Sequence, residues 1–138
     1  MEDANRYQGG CLCGAVRYEA TAGPAYAGLC YCADCRKASG SGFIPFMGFA
    51  ARDIRISGPT RQSHVPSIRG TDAVRNHCAQ CGGLVFGGIV GESEDFTIYA
   101  GSLDDPSLFH PRVAIFTRDR PAWAEVRPDL KEYETMPE

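Results

Sequence analysis

A mainly β domain of short strands with little helix is predicted by three features of the sequence. Sixteen glycines and nine prolines are spread along all 138 residues, so turns recur at short intervals and long helices have little room. Several short segments alternate apolar and polar residues, the mark of a strand with one buried face. Seven cysteines, many for this length, fall in close groups that could staple distant parts of a small domain.

Taken in order, Ala15 to Ala20 roughly alternates and contains β-formers, so it is predicted as a strand. A short helix is expected from Ala33 to Ser39, with Asp34 favouring its first turn through the helix dipole and Gly40 ending it. Asp53 to Ser57 alternates cleanly up to the turn pair Gly58-Pro59. Gly83 to Val90 is a short apolar run, Asp95 to Tyr99 alternates again before Gly101, and Arg112 to Thr117 reads as a further strand. The tail after Val126 reads as loosely structured. No internal repeat, low-complexity tract or linker interrupts the chain, so residues 1–138 are expected to form a single domain.

Composition narrows the class of function. A hydrophobic content of 43% is enough for a modest core. The net charge of -3, with a pI near 5.6, gives no overall basic field and does not suggest nucleic acid as a partner. The start, MEDANRYQGG, lacks a basic flank followed by an apolar stretch, so no secretory signal is read and a cytoplasmic protein is expected. The longest apolar stretch, Gly42 to Ala51, is too short to span a bilayer and contains Pro45. No membrane partner is expected.

In a reducing compartment such a cysteine count points to metal or catalysis rather than disulfides. The cysteines form three groups: Cys11 and Cys13; Cys30, Cys32 and Cys35; Cys78 and Cys81. Close pairs on tight turns can present two thiolates to one metal, and Gly9, Gly10, Gly14, Gly82 and Gly83 permit such turns. Zinc prefers a tetrahedron of soft ligands, and two distant pairs sharing one ion would tie both ends of a β domain together. Cys11, Cys13, Cys78 and Cys81 are therefore assigned to a structural zinc. Cys30, Cys32 and Cys35 supply three thiolates to a second zinc, and no eighth cysteine is available to complete a second cage.

Three protein ligands leave one position open, the usual mark of a catalytic zinc. Three thiolates would make the ion a weaker water activator but suit exchange of a soft fourth ligand, which points to thiol chemistry. Other readings stay open at this point. His64, His77 or His110 could close the second site; the three thiols could belong to an iron–sulfur centre; the cysteines could be grouped differently.

The residues that carry these features resemble the glutathione-dependent formaldehyde-activating enzymes, a family grouped with centromere protein V. The resemblance rests on GCLCGAVRY from Gly10 to Tyr18, YCADCRKASGSGF from Tyr31 to Phe43, HCAQCGGLVF from His77 to Phe86 and AGSLDDP from Ala100 to Pro106. Pro121-Ala122-Trp123 also sits where the family tends to place a tryptophan. The chain departs from the pattern at Tyr31, where members often carry histidine. The resemblance implies a tent-like β fold with Cys11, Cys13, Cys78 and Cys81 on the structural zinc and Cys30, Cys32 and Cys35 on the catalytic one.

It also implies a carbon–sulfur lyase that condenses glutathione, as co-substrate, with formaldehyde to S-(hydroxymethyl)glutathione. Its partners would be a small-molecule thiol and an aldehyde. Glutathione carries two carboxylates, so Arg36, Lys37 and the Ser39-Gly40-Ser41 turn, the nearest cations and donors, are candidate substrate contacts. The competing description of Arg36 and Lys37 is a solvated helix face. Phe43 and Phe46 could wall the site or simply pack in the core, and the lone Trp123 is open to the same two readings, packing being the usual role of a lone tryptophan in a small domain. Asp104 and Asp105 are read as turn formers. Two other functions compete with the lyase: a non-catalytic zinc module for a protein or nucleic acid, and a thiol-redox or metal sensor.

Overall fold

The computed structural model describes residues 6–67 and 70–137; the first five residues, part of the start read above for a secretory signal, lie outside it. The described residues form eleven strands and one α-helix: β1 (Tyr7–Gly10), β2 (Arg17–Ala20), β3 (Tyr26–Cys30), α1 (Ala33–Ser39), β4 (Ile44–Ala50), β5 (Ile54–Ser57), β6 (Thr60–Pro66), β7 (Asp72–Cys78), β8 (Leu84–Gly87), β9 (Asp95–Tyr99), β10 (Val113–Ile115) and β11 (Lys131–Glu132). The predicted mainly β class holds, with short strands and little helix. No helix among the described residues is long and apolar enough to cross a membrane.

Two sheets divide the strands. β1, β2 and β5 make an antiparallel three-stranded sheet, and the other eight run in the order β11-β10-β3-β4-β9-β8-β7-β6. Within the larger sheet β10 pairs in parallel with both β3 and β11, and the remaining neighbours are antiparallel. The main core draws on both sheets. Tyr18 and Ala20 of β2, and Ile54 of β5, meet Met47 and Phe49 of β4, Val85 and Phe86 of β8, and Phe96 and Ile98 of β9. Burial of this apolar surface, at about 25 cal/mol per Å², supplies the main drive for the fold.

The α1 and β9 bounds coincide with the predicted ones. β2 begins later than expected because Ala15 and Val16 belong to the turn carrying the first cysteine pair, where Cys11 N donates to Val16 O at 3.1 Å. β10 stops at Ile115 because Phe116 turns into the left-handed region, with φ of 56°. Strands β3 and β4 escaped the alternation test for a physical reason. They lie inside the larger sheet, where Ala27 to Cys30 and Met47 to Phe49 are buried as continuous runs.

The tail after Val126 is not loose. Leu130 is buried with Tyr31, Ala114 and Ala124, β11 pairs with β10, and Tyr133 N donates to Ala114 O at 2.9 Å. A sequence with so few apolar residues gave no periodic signal; its order comes from one buried leucine and the free edge of β10.

Candidate metal centres and active site

Four cysteines converge where β1 ends and β7 turns into β8. Cys11 and Cys13 follow β1, Cys78 closes β7, and Cys81 lies in the β7–β8 turn. Gly14 (φ 83°) and Gly82 (φ 79°) take the left-handed conformation that reverses each turn, and they donate to the carbonyls of Cys11 and Cys78 at 3.2 and 2.9 Å. The sulfurs of Cys11 and Cys13 stand 3.7 Å apart, as do those of Cys13 and Cys78. A tetrahedron with Zn–S bonds of about 2.3 Å has edges of roughly 3.8 Å, so this donor set fits the ion. All four sulfurs lie within 4.8 Å of one another.

Backbone donors prepare the group for charge. Val16 N–H points at Cys11 Sγ at 3.2 Å, and Gln80 and Cys81 N–H point at Cys78 Sγ at 3.3 and 3.4 Å. The Val16 contact, opposed by partial burial and aided by the neighbouring thiols, holds Cys11 down at about 6. Cys81 is lowered too, first by the Gly83 N–H. Cys13 goes the other way: the Ala15 N–H favours its thiolate, but burial and the Cys11, Cys78 and Cys81 sulfurs outweigh that and push it up to about 11, so metal binding there displaces a proton.

The second group sits between β3 and α1. Cys30 is the last residue of β3, Cys32 is the N-cap of α1, and Cys35 lies in the first turn. Cys35 N donates to Cys32 Sγ at 3.2 Å, so one sulfur both starts the helix and faces the cluster. Side chains alternate along an extended chain, which separates the two cysteines from Tyr31. The Tyr31 ring is buried against Phe43, with centroids 5.3 Å apart, and its hydroxyl donates to Glu125 O at 3.1 Å. The residue that departs from the usual histidine is thus a packing anchor.

Within the triplet one sulfur carries the charge most readily. Hydrogen bonds from the Cys30 and Cys35 thiols, helped by the Cys35 and Asp34 N–H groups and opposed by burial, drive Cys32 down to about 2. Cys30 is driven up for the converse reason, by Cys32 and Cys35 and by burial. Its wall is Ile115 and Phe116, with Phe46 packed alongside. No fourth cysteine, histidine or carboxylate shares this cluster among the described residues. His64 stands instead near Asp72, at 3.8 Å.

Two groups that sequence reasoning missed approach the triplet from the far strands. Arg75 of β7, only 8% exposed, brings Nη2 to 4.0 Å from Cys35 Sγ. Burial works against its charge, but Tyr99 and the Cys35 and Cys32 sulfurs outweigh that and raise its pKa. Tyr99 of β9 is pushed up to about 12 by burial and keeps its proton. The only signal for Arg75 was a charged residue inside a segment that gave no strand pattern.

The substrate-contact candidates lie near this cluster without converging on one point. Lys37 is exposed on the helix, whereas Arg36 is half-buried and its Nε has no hydrogen-bond partner among the described residues. Ser39 Oγ donates to Cys35 O at 2.8 Å and accepts from Ser41 N at 3.1 Å, so its hydroxyl closes the end of the helix. Phe43 packs in the Tyr31 cluster and Phe46 beside the cysteines. Trp123 does not anchor packing: it is 72% exposed, with its ring edge against Gly42. Asp105 caps a turn through Ser107 N, and Asp104 forms a bidentate pair with Arg17.

The fold and these two groups define a small β protein with cysteine clusters able to hold metal. The family model for glutathione-dependent formaldehyde-activating enzymes matches residues 6–119, and the chain belongs to that family. No curated protein matches it. Among solved structures it is similar to a Rhodobacter sphaeroides protein, with a TM-score of 0.52 and 22% identity over 70% of this chain and 87% of that one, a likeness of fold.

Proposed function

We propose that this chain is a zinc-dependent carbon–sulfur lyase that joins glutathione, or a related thiol, to formaldehyde or another small aldehyde at Cys30, Cys32 and Cys35. In this reading Cys11, Cys13, Cys78 and Cys81 hold a purely structural zinc, and the whole chain acts as one domain. The observation that carries the reading is the contrast between the clusters: four cysteines close one, whereas three converge at the other with no fourth protein donor among the described residues. A zinc ion bound there would act as a Lewis acid toward a thiol or an aldehyde oxygen.

The chain's own residues supply the rest. Ile115, Phe116 and Phe46 give the cluster an apolar wall that limits water. Arg75 faces the sulfurs with a fixed positive charge, and Tyr99 offers a protonated hydroxyl on the same side of the sheet. In the reaction the sulfur–hydrogen bond is lost and a sulfur–carbon bond forms. The carbonyl π pair moves to oxygen, which takes up a proton to become the hydroxyl. Bringing thiol and aldehyde together converts a bimolecular encounter into an oriented one.

The test is the rate of S-(hydroxymethyl)glutathione formation or breakdown, followed by exchange NMR against the spontaneous reaction. Catalysis lost in Cys32→Ser while the fold persists supports the reading; no acceleration by the zinc-loaded protein with glutathione and a panel of small aldehydes refutes it.

A further inference from the structure

Arg75 belongs to a row of residues that strand register lays across one face of the larger sheet. Cross-strand partners share a face, and so do residues two apart on one strand. Arg75 pairs with Gly87, Gly87 with Thr97, Tyr99 with Phe46, and Phe46 with Gly28, two residues before Cys30. Gly87 leaves a gap in the row, because a Cβ there would come within 3.0 Å of the Tyr99 hydroxyl. The Arg75 guanidinium donates a hydrogen bond to the Tyr99 oxygen, and its Nη2 reaches Cys35 Sγ at 4.0 Å.

The three sulfurs divide their donors. Cys32 takes the N–H groups of Cys35 and Asp34, and Cys30 takes the N–H of Cys32. The Cys35 sulfur takes Arg75. A zinc ion on three thiolates leaves one negative charge in excess, and a charge walled by Ile115, Phe116 and Phe46 needs a counter-charge. Arg75, 8% exposed, has a charge in the same position: among the described residues it forms no ion pair with a carboxylate. The four-cysteine cluster differs, since it meets solvent at Cys13 and takes backbone donors from Val16, Gln80 and Cys81.

We propose that Arg75, anchored by Tyr99, is a positioning residue that acts through the Cys35 sulfur and makes the three-cysteine cluster a tight metal site, whereas the four-cysteine cluster binds independently of it. A guanidinium suits this role because it keeps its proton and its planar fork can serve a sulfur and a tyrosine oxygen at once. The inference rests on the metal reading of the triplet and not on the lyase reaction.

The test is competition for zinc between a chromophoric chelator and the full-length protein, as wild type, Arg75→Lys, Arg75→Gln and Tyr99→Phe. Cys32→Ser identifies the release step that belongs to the triplet, and circular dichroism checks each fold. Arg75→Gln should weaken zinc at the triplet about 10–100-fold, the usual cost of losing an outer contact to a metal ligand, and leave the four-cysteine site unchanged. Arg75→Lys keeps the charge and should recover most of the loss. Tyr99→Phe removes the anchor alone and should fall between wild type and Arg75→Gln. The role is overturned if Arg75→Gln leaves the triplet unchanged, if both sites weaken together, or if Arg75→Lys binds as poorly as Arg75→Gln. Should Arg75→Gln fail to fold, unchanged zinc affinity in Tyr99→Phe overturns it. A wild type that takes up one zinc per chain removes the metal reading of the triplet and this role with it, whereas two zincs without lyase catalysis remove the reaction and leave the affinity result to decide the role.

Discussion

Replacing one cysteine in each cluster should have very different consequences for stability. Cys13 and Cys78 are 65 residues apart in sequence, and their sulfurs are 3.7 Å apart in space. A cross-link closing a loop of that length is worth about 4 kcal/mol by the chain-entropy relation for disulfides, whose reasoning applies to a metal clip. Cys30 and Cys35 close only a few residues, for which the same relation gives about 2 kcal/mol, and β3 and α1 already fix much of that segment. Against a total of about 5–15 kcal/mol for a domain, the first loss threatens the fold and the second does not.

Local chemistry widens the gap. Cys78 is buried in the main core, so Cys78→Ser places an unmatched hydroxyl there. Cys32 is the N-cap of α1, a position serine fills well, so Cys32→Ser removes a ligand and keeps the helix start. The assay is urea unfolding by circular dichroism with zinc per chain measured in parallel. With a slope of about 1–3 kcal/mol per molar urea, Cys78→Ser should lower the midpoint by about 2 M or leave the protein unfolded. Cys32→Ser should lose one zinc and shift the midpoint by no more than half as much. Equal shifts for the two variants would refute the division into a structural and an open site.

Three further outcomes follow from the same geometry. Tyr31→Phe removes the hydroxyl bonded to Glu125 O and should cost about 1 kcal/mol without changing zinc content; loss of the second zinc would show that Tyr31 supports the cluster directly. Leu130→Ala should cost about 2–3 kcal/mol in denaturant unfolding, because Leu130 is buried in the smaller Tyr31 cluster; a loss under about 0.5 kcal/mol would mean the tail contributes nothing. Asp104 is held below its usual 3.8 by Arg17, so its stabilisation is complete above an unfolded pKa near 4 and is lost as pH falls through the lower folded value. Both partners are about half exposed, so Asp104→Asn should cost at most about 1 kcal/mol at pH 7, and the difference from wild type should vanish in unfolding measured near pH 2; a difference that persists there would assign the effect to packing.

Much of this protein was legible without coordinates. The grouping of the cysteines, the short helix after Cys32 and the strand from Asp95 to Tyr99 are local facts, written in spacings of two to four residues. Strand β2 was legible because Tyr18 and Ala20 face the core while Arg17 and Glu19 do not. The same test failed on β3 and β4, whose buried runs show no alternation, and on the β6–β7 hairpin, where β6 is a largely polar edge strand and β7 buries the polar Arg75 and Asn76.

What the sequence by itself determined was therefore the inventory: which residues could bind metal, which segments could pair, and the family to which the combination points. Tertiary structure alone decided the placements. It brought Arg75 to a sulfur 40 residues away, left Trp123 in solvent, turned Tyr31 from the cysteines and tied the tail to β10. Each of these depends on sheet register and on which edge remains open, and those are set by contacts between distant segments that no local pattern encodes.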